Sequence, residues 1–157
     1  MFKKIKRENS ADINPIVPIL EEKIGKNSLG EIEIAAAILG LAVVLIQADM
    51  EFHEKERESF LDLIEKECRV PRDLAEEIAE EILEISEVDL ETAYLGTLLA
   101  ESTDEERRED ILMSLFSIAR SDSVYDPYED KYLKVISRHL LMDHNEFIAA
   151  KLKSKEE

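Results

Sequence analysis

Thirteen consecutive residues, Ile34 to Ile46, carry no charge and no strong hydrogen-bonding side chain. As a helix they cover about 20 Å, well short of the ~20 residues a bilayer demands. The run therefore predicts a central helix over Glu31 to Ala48, buried on nearly all sides. Gly40 with Ala35, Ala36, Ala37 and Ala42 would let neighbouring helices approach it closely.

Apolar positions at helical spacing mark the other elements. Residues 1–14 are irregular and end in Asn-Pro; a short helix follows over Ile16 to Ile24 behind Pro15 and Pro18, and Gly25-Lys26-Asn27-Ser28 breaks it. Phe60, Leu63 and Ile64 form the stripe of a helix from His53 to about Glu67. Pro71 is placed as an early residue of the next, whose inward face is Leu74, Ala75, Ile78, Ile82 and Leu83. A fifth helix spans Asp89 to Ala100. Thr103-x-x-Glu106 is a capping-box pattern opening a sixth, with Ile111, Leu112, Leu115, Phe116 and Ile118 inward. Asp126-Pro127 starts a seventh, running through Tyr132, Leu133 and Ile136 to about Leu140. Asp143-x-x-Glu146 caps an eighth carrying Phe147, Ile148 and Leu152. The expected fold is all-α with seven to eight helices: an N-terminal segment with a short helix over 1–30 and a helical domain over 31–157.

Composition agrees and adds a charge argument. Four Gly and four Pro among 157 residues are too few for a turn-rich β-sandwich. The net charge is -17, and from Pro71 to Asp110 fifteen acids face only Arg72, Arg107 and Arg108. Such a surface repels a phosphate backbone, so nucleic acid is not an expected partner; a protein partner or a homodimer is allowed. The single cysteine, Cys68, permits no internal disulfide and favours a reducing, cytoplasmic setting. The basic start Met-Phe-Lys-Lys-Ile-Lys-Arg lacks an apolar core and cleavage site, and stable membrane insertion is not expected.

Two junctions carry the pattern that could hold chemistry. Gln47-Ala48-Asp49-Met50-Glu51-Phe52-His53-Glu54-Lys55-Glu56 is echoed by Arg120-Ser121-Asp122-Ser123-Val124-Tyr125-Asp126-Pro127-Tyr128-Glu129. A constant offset of 73 residues relates Asp49 to Asp122, Phe52 to Tyr125 and Glu56 to Glu129. At the same offset Ile38 and Leu39 fall on Ile111 and Leu112, Phe60 on Leu133, and Leu74 on Phe147. The spacing predicts two related three-helix units about a pseudo-twofold axis.

The paired Ala-Asp-x-x-aromatic-x-x-x-Glu junctions and the two-copy helical layout resemble the TerB family, the tellurite-resistance-associated helical domain, over roughly Ile34 to Leu152. That family carries a Gly after the Asp; here Met50 and Ser123 stand there, and Ser121 replaces the Ala in the second copy. The resemblance implies a TerB-like bundle with a role in tellurite or other chemical stress.

Asp49, Glu56, Asp122 and Glu129 are hard oxygen donors, suited to Ca²⁺, Mg²⁺ or Mn²⁺. No other cofactor is indicated. Helix capping accounts equally for the glutamates, because Asp126-Pro127-Tyr128-Glu129 has the form of a helix start. It does not account for Asp49 and Asp122, which sit where the helix dipole disfavours an anion by about 0.3–1 kcal/mol. A cation or free loop N–H groups could compensate them, and the two aspartates are the foremost candidates. No Glu-x-x-His, nucleophile motif or Gly-rich phosphate loop occurs, and His139 and His144 suit surface or capping positions. The expectation is a non-enzymatic domain with divalent-metal binding at the acidic junctions; the alternative is a metal-free acidic interaction module.

Overall fold

The computed structural model describes residues 14–25, 30–48, 54–85, 90–121 and 127–155. These form eight helices, and no strand occurs among them: α1 (Ile16–Ile24), α2 (Glu31–Ala48), α3 (Glu54–Cys68), α4 (Arg72–Glu84), α5 (Thr92–Ser102), α6 (Glu105–Ala119), α7 (Pro127–His139) and α8 (His144–Lys155). The all-α expectation holds. The starts expected at His53 and Asp126 lie outside the described residues; the fifth helix, expected from Asp89 to Ala100, instead starts at Thr92 behind extended Glu91 and runs to Ser102.

α2 is the hub. It packs against α1, α3, α5, α6 and α7, which is why Ile38, Leu39, Leu41, Ala42 and Leu45 are fully buried and why one face of apolar residues would not have sufficed. Close approach depends on glycine at two crossings. A Cβ on Gly40 of α2 would lie 2.8 Å from Leu95 Cδ1 of α5, and one on Gly96 of α5 would lie 2.3 Å from His139 Cβ of α7. α5 thereby wedges between the first and second halves of the chain, on both α2 and α7.

Local signals explain most helix ends. Asn14 is buried and its Oδ1 accepts from the Ile16 N–H at 3.1 Å, starting α1 with Pro18 harmlessly in the first turn. Pro71 is the extended cap before α4 rather than a residue of its first turn. At α8 the predicted capping box is complete: the Glu146 N–H donates to Asp143 Oδ1 at 2.8 Å and the Asp143 N–H donates back to Glu146 Oε1 at 3.3 Å. At α6 the expected Thr103 box gives way to Asp104, whose Oδ1 accepts from the Arg107 N–H at 2.8 Å. The Thr103 hydroxyl turns back to the Leu99 carbonyl and finishes α5. Two adjacent residues could each cap, and the carboxylate took the role.

α7 ends in a Schellman motif, the Met142 N–H donating to Ser137 O at 2.9 Å and the Leu141 N–H to Arg138 O at 3.0 Å, with Leu141 at a left-handed φ of 62°.

The 73-residue offset brings helix ends into register to within about two residues across three pairs: α2 with α6, α3 with α7, α4 with α8. The four central helices also contact one another reciprocally, α2 on α7 and α3 on α6. The third helices break the correspondence. α4 packs on α3 and α1, whereas α8 packs on α6, anchored by Phe147 against Phe116 with ring centroids 5.5 Å apart.

Candidate functional site

The junctions predicted to hold chemistry join α2 to α3 and α6 to α7. Asp49 and Asp122 lie outside the described residues. Glu56 and Glu129 are described, and each is the third residue of its helix. The positive end of a helix favours a carboxylate there. Both side chains are buried to 1% exposure. The Glu of the completed capping box, Glu146, stays half-buried in the same helix position, so capping does not require such burial. Removing a charged carboxylate from water is costly unless it is compensated, and both Glu56 and Glu129 have interaction partners. The precedence that the sequence gives to the aspartates falls outside the described residues; the burial of the glutamates is something no local pattern encodes.

The junctions are not identical in charge. Arg120 closes α6, its N–H donating to the Phe116 carbonyl at 3.0 Å and its guanidinium 5.3 Å from the Phe116 ring centroid. Exposed, neutral Gln47 holds the corresponding place before Asp49. Beside Arg120, the Ser121 hydroxyl donates to Ile118 O at 2.7 Å.

Among the described residues, no group of three His, Cys, Asp or Glu side chains stands close enough to hold a metal ion. A complete donor set at either junction therefore has to include residues of the connecting segments. His139 packs its Cβ on Gly96, and exposed His144 stacks near Phe147 at 6.5 Å between ring centroids; neither belongs to a ligand cluster. The helices among the described residues include none long and apolar enough to cross a membrane.

At the opposite ends of α2 and α3 lies a pocket of about 680 Å³, lined in part by Ile32, Ala35, Cys68, Arg69, Thr103 and Arg107. None of the four predicted site residues lines it. Burial pushes the Cys68 thiol from its ordinary 9.0 up to about 12, with the Glu67 charge acting in the same direction. The thiol is therefore held protonated and unreactive. The Glu67 carboxylate, itself buried, is gripped by Arg107, which also donates to Asp110 at 2.9 Å. Lys66 adds bonds to Asp110 and to the Ser114 hydroxyl at 3.1 Å. These charges tie α3 to α6 and are structural.

The model of the family described as Tellurite resistance protein TerB matches residues 34–152. The chain belongs to the TerB family. No curated protein and no solved structure matches it in the comparisons made. The matched span begins inside α2 and closes in α8, so it takes in both junctions and both buried glutamates. α1 lies outside it, yet α1 packs on α2 and α4 as an integral part of the bundle.

Proposed function

We propose that this TerB-family domain is a non-enzymatic, cytoplasmic helical protein that binds a divalent cation at its acidic helix junctions and serves in the response to tellurite or related chemical stress. The observation that supports this reading is the shared burial of Glu56 and Glu129 at one register position of the repeat. Each is a hard oxygen donor placed at the entrance of a helix, on a chain of net charge -17 that draws cations toward it. Asp49 or Asp122, with loop carbonyls, would complete an oxygen shell for Ca²⁺, Mg²⁺ or Mn²⁺. The cation would supply the charge compensation that an aspartate at a helix C-terminus lacks. Because Arg120 already brings a positive charge to the second junction, the first junction is the better cation site.

Calorimetric titration of metal-stripped protein with each ion tests the reading. Saturable heat and a raised melting temperature are expected, because a ligand that favours the native state stabilises it. Both effects should vanish in Asp49→Asn plus Glu56→Gln, diminish less in Asp122→Asn plus Glu129→Gln, and persist in the capping control Glu146→Gln. Flat titrations with an unchanged melting temperature would sink the metal reading. They would favour a metal-free interaction module, for which the exposed row Glu76, Glu77, Glu80 and Glu84 along α4 is the available acidic surface.

A further inference from the structure

α3 and α7 stand in the same register of the repeat, but only α3 has its outer face covered by the helix that follows it. α4 packs along α3, and its Arg72 spans three carboxylates of α3, donating to Asp62 at 2.7 Å, to Glu65 at 2.9 Å and to Glu58. At the corresponding positions α7 carries Lys131 for Glu58, Lys134 for Leu61, Val135 for Asp62 and Arg138 for Glu65, and Leu141 follows the helix where Cys68 closes α3. α8 lies on α6 instead and reaches α7 through an ion pair of Lys151 with Asp130 at 2.9 Å. The uncovered face is neither plainly polar nor acidic like most of the surface. Lys131, Lys134 and Arg138 are exposed along one edge, and Tyr128 and Tyr132, at 68% and 40% exposure, flank them one helical turn apart.

We propose that this face of α7 is a docking seat for an acidic amphipathic helix of a partner protein. It would lie where α4 lies on α3 but with the charges reversed. The repeat itself shows the mode: a helix already occupies the equivalent place in the first half, held by an arginine reaching a row of acids. On α7 the row is cationic, so the complementary helix is acidic. Three exposed cations on one face of a chain with net charge -17 are a local reversal of sign, and such reversals set partner choice and orientation. The two tyrosines offer large, rigid contact area at low entropic cost. A second copy of the chain is disfavoured as occupant, because two bodies of that charge repel.

A hydrocarbon-stapled peptide with the sequence of residues 71–85, labelled for fluorescence anisotropy and titrated with the full chain, tests the proposal. Saturable binding is expected, weakened about tenfold or more by Lys131→Glu plus Arg138→Glu and absent for a peptide with its glutamates changed to lysine. Tyr132→Ser, which installs the residue found at the α3 register position Ser59, should weaken binding while leaving the thermal melt unchanged. Failure of the peptide to saturate, or equal binding by the charge-reversed variant, would overturn the proposal. So would sedimentation showing a dimer that the same charge reversal dissociates, since the seat would then belong to a second copy.

Discussion

In the first half of the molecule the third helix, α4, lies on α3; in the second half its counterpart, α8, lies on α6. The same spacing thus serves two packings, and the residues at the corresponding positions differ in kind. Where the first half buries Leu61 and half-buries Cys68, the second half leaves Lys134 and Leu141 exposed, Leu141 at 73%. A lysine in that seat cannot be buried cheaply, while Phe147 finds an apolar partner in Phe116 on α6. The junction glutamates, in contrast, are buried alike in both halves. The 73-residue correspondence therefore holds at the buried junction glutamates and fails where the third helix docks, so a shared role is better sought at the junctions and a divergent role on the outer faces.

The wedge between the halves offers the harshest test. Gly96→Ala should lower stability by about 2–3 kcal/mol, because the new Cβ meets His139 Cβ at 2.3 Å and its carbonyl carbon at 3.3 Å, atoms that move only with α7 itself. Gly40→Ala should cost less, since the obstacle there is the end of the Leu95 side chain. Urea midpoints at constant slope would read both. An unchanged midpoint for Gly96→Ala would mean that α5 does not clamp the halves together.

Cys68 and Leu141, one register position with two fates, separate the halves by pH. With its folded pKa raised from 9.0 to about 12, Cys68 holds its proton more tightly in the native state than in the unfolded chain. Its contribution to stability is complete below pH 9.0 and is lost as pH climbs from there toward about 12. Cys68→Ala should flatten that alkaline decline in thermal melts. Thiol labelling near pH 8 should be slow in the native protein and much faster in denaturant.

The smallest effect is expected at the other member of the pair. Leu141→Gly should stabilise by roughly 0.5–1 kcal/mol, because it relieves a left-handed residue with φ of 62° at little loss of buried surface. A fall in melting temperature would show instead that the exposed leucine covers apolar surface on α7.

Much of this architecture was legible in the chain because its causes are local. An uncharged run of apolar and small residues can only be a hub helix, and α2 touches five others. Asp143 and Glu146 cap one another three residues apart whatever surrounds them. The α6 start was misplaced by one residue because Thr103 and Asp104 compete for the same N–H groups, and their neighbours decide the outcome. Tyr132 and Leu152, apolar positions on their helices, face outward because no helix arrives to cover them. At the junctions, spacing alone singled out Glu56 and Glu129 without revealing that they are buried.

Composition and periodicity by themselves determined an all-helical chain and the approximate course of its helices, since each follows from interactions a few residues apart. Tertiary structure decided which helix covers which, sending α8 to α6, leaving the cationic face of α7 open and withdrawing two glutamates from water. Those outcomes depend on side chains brought together across dozens of residues.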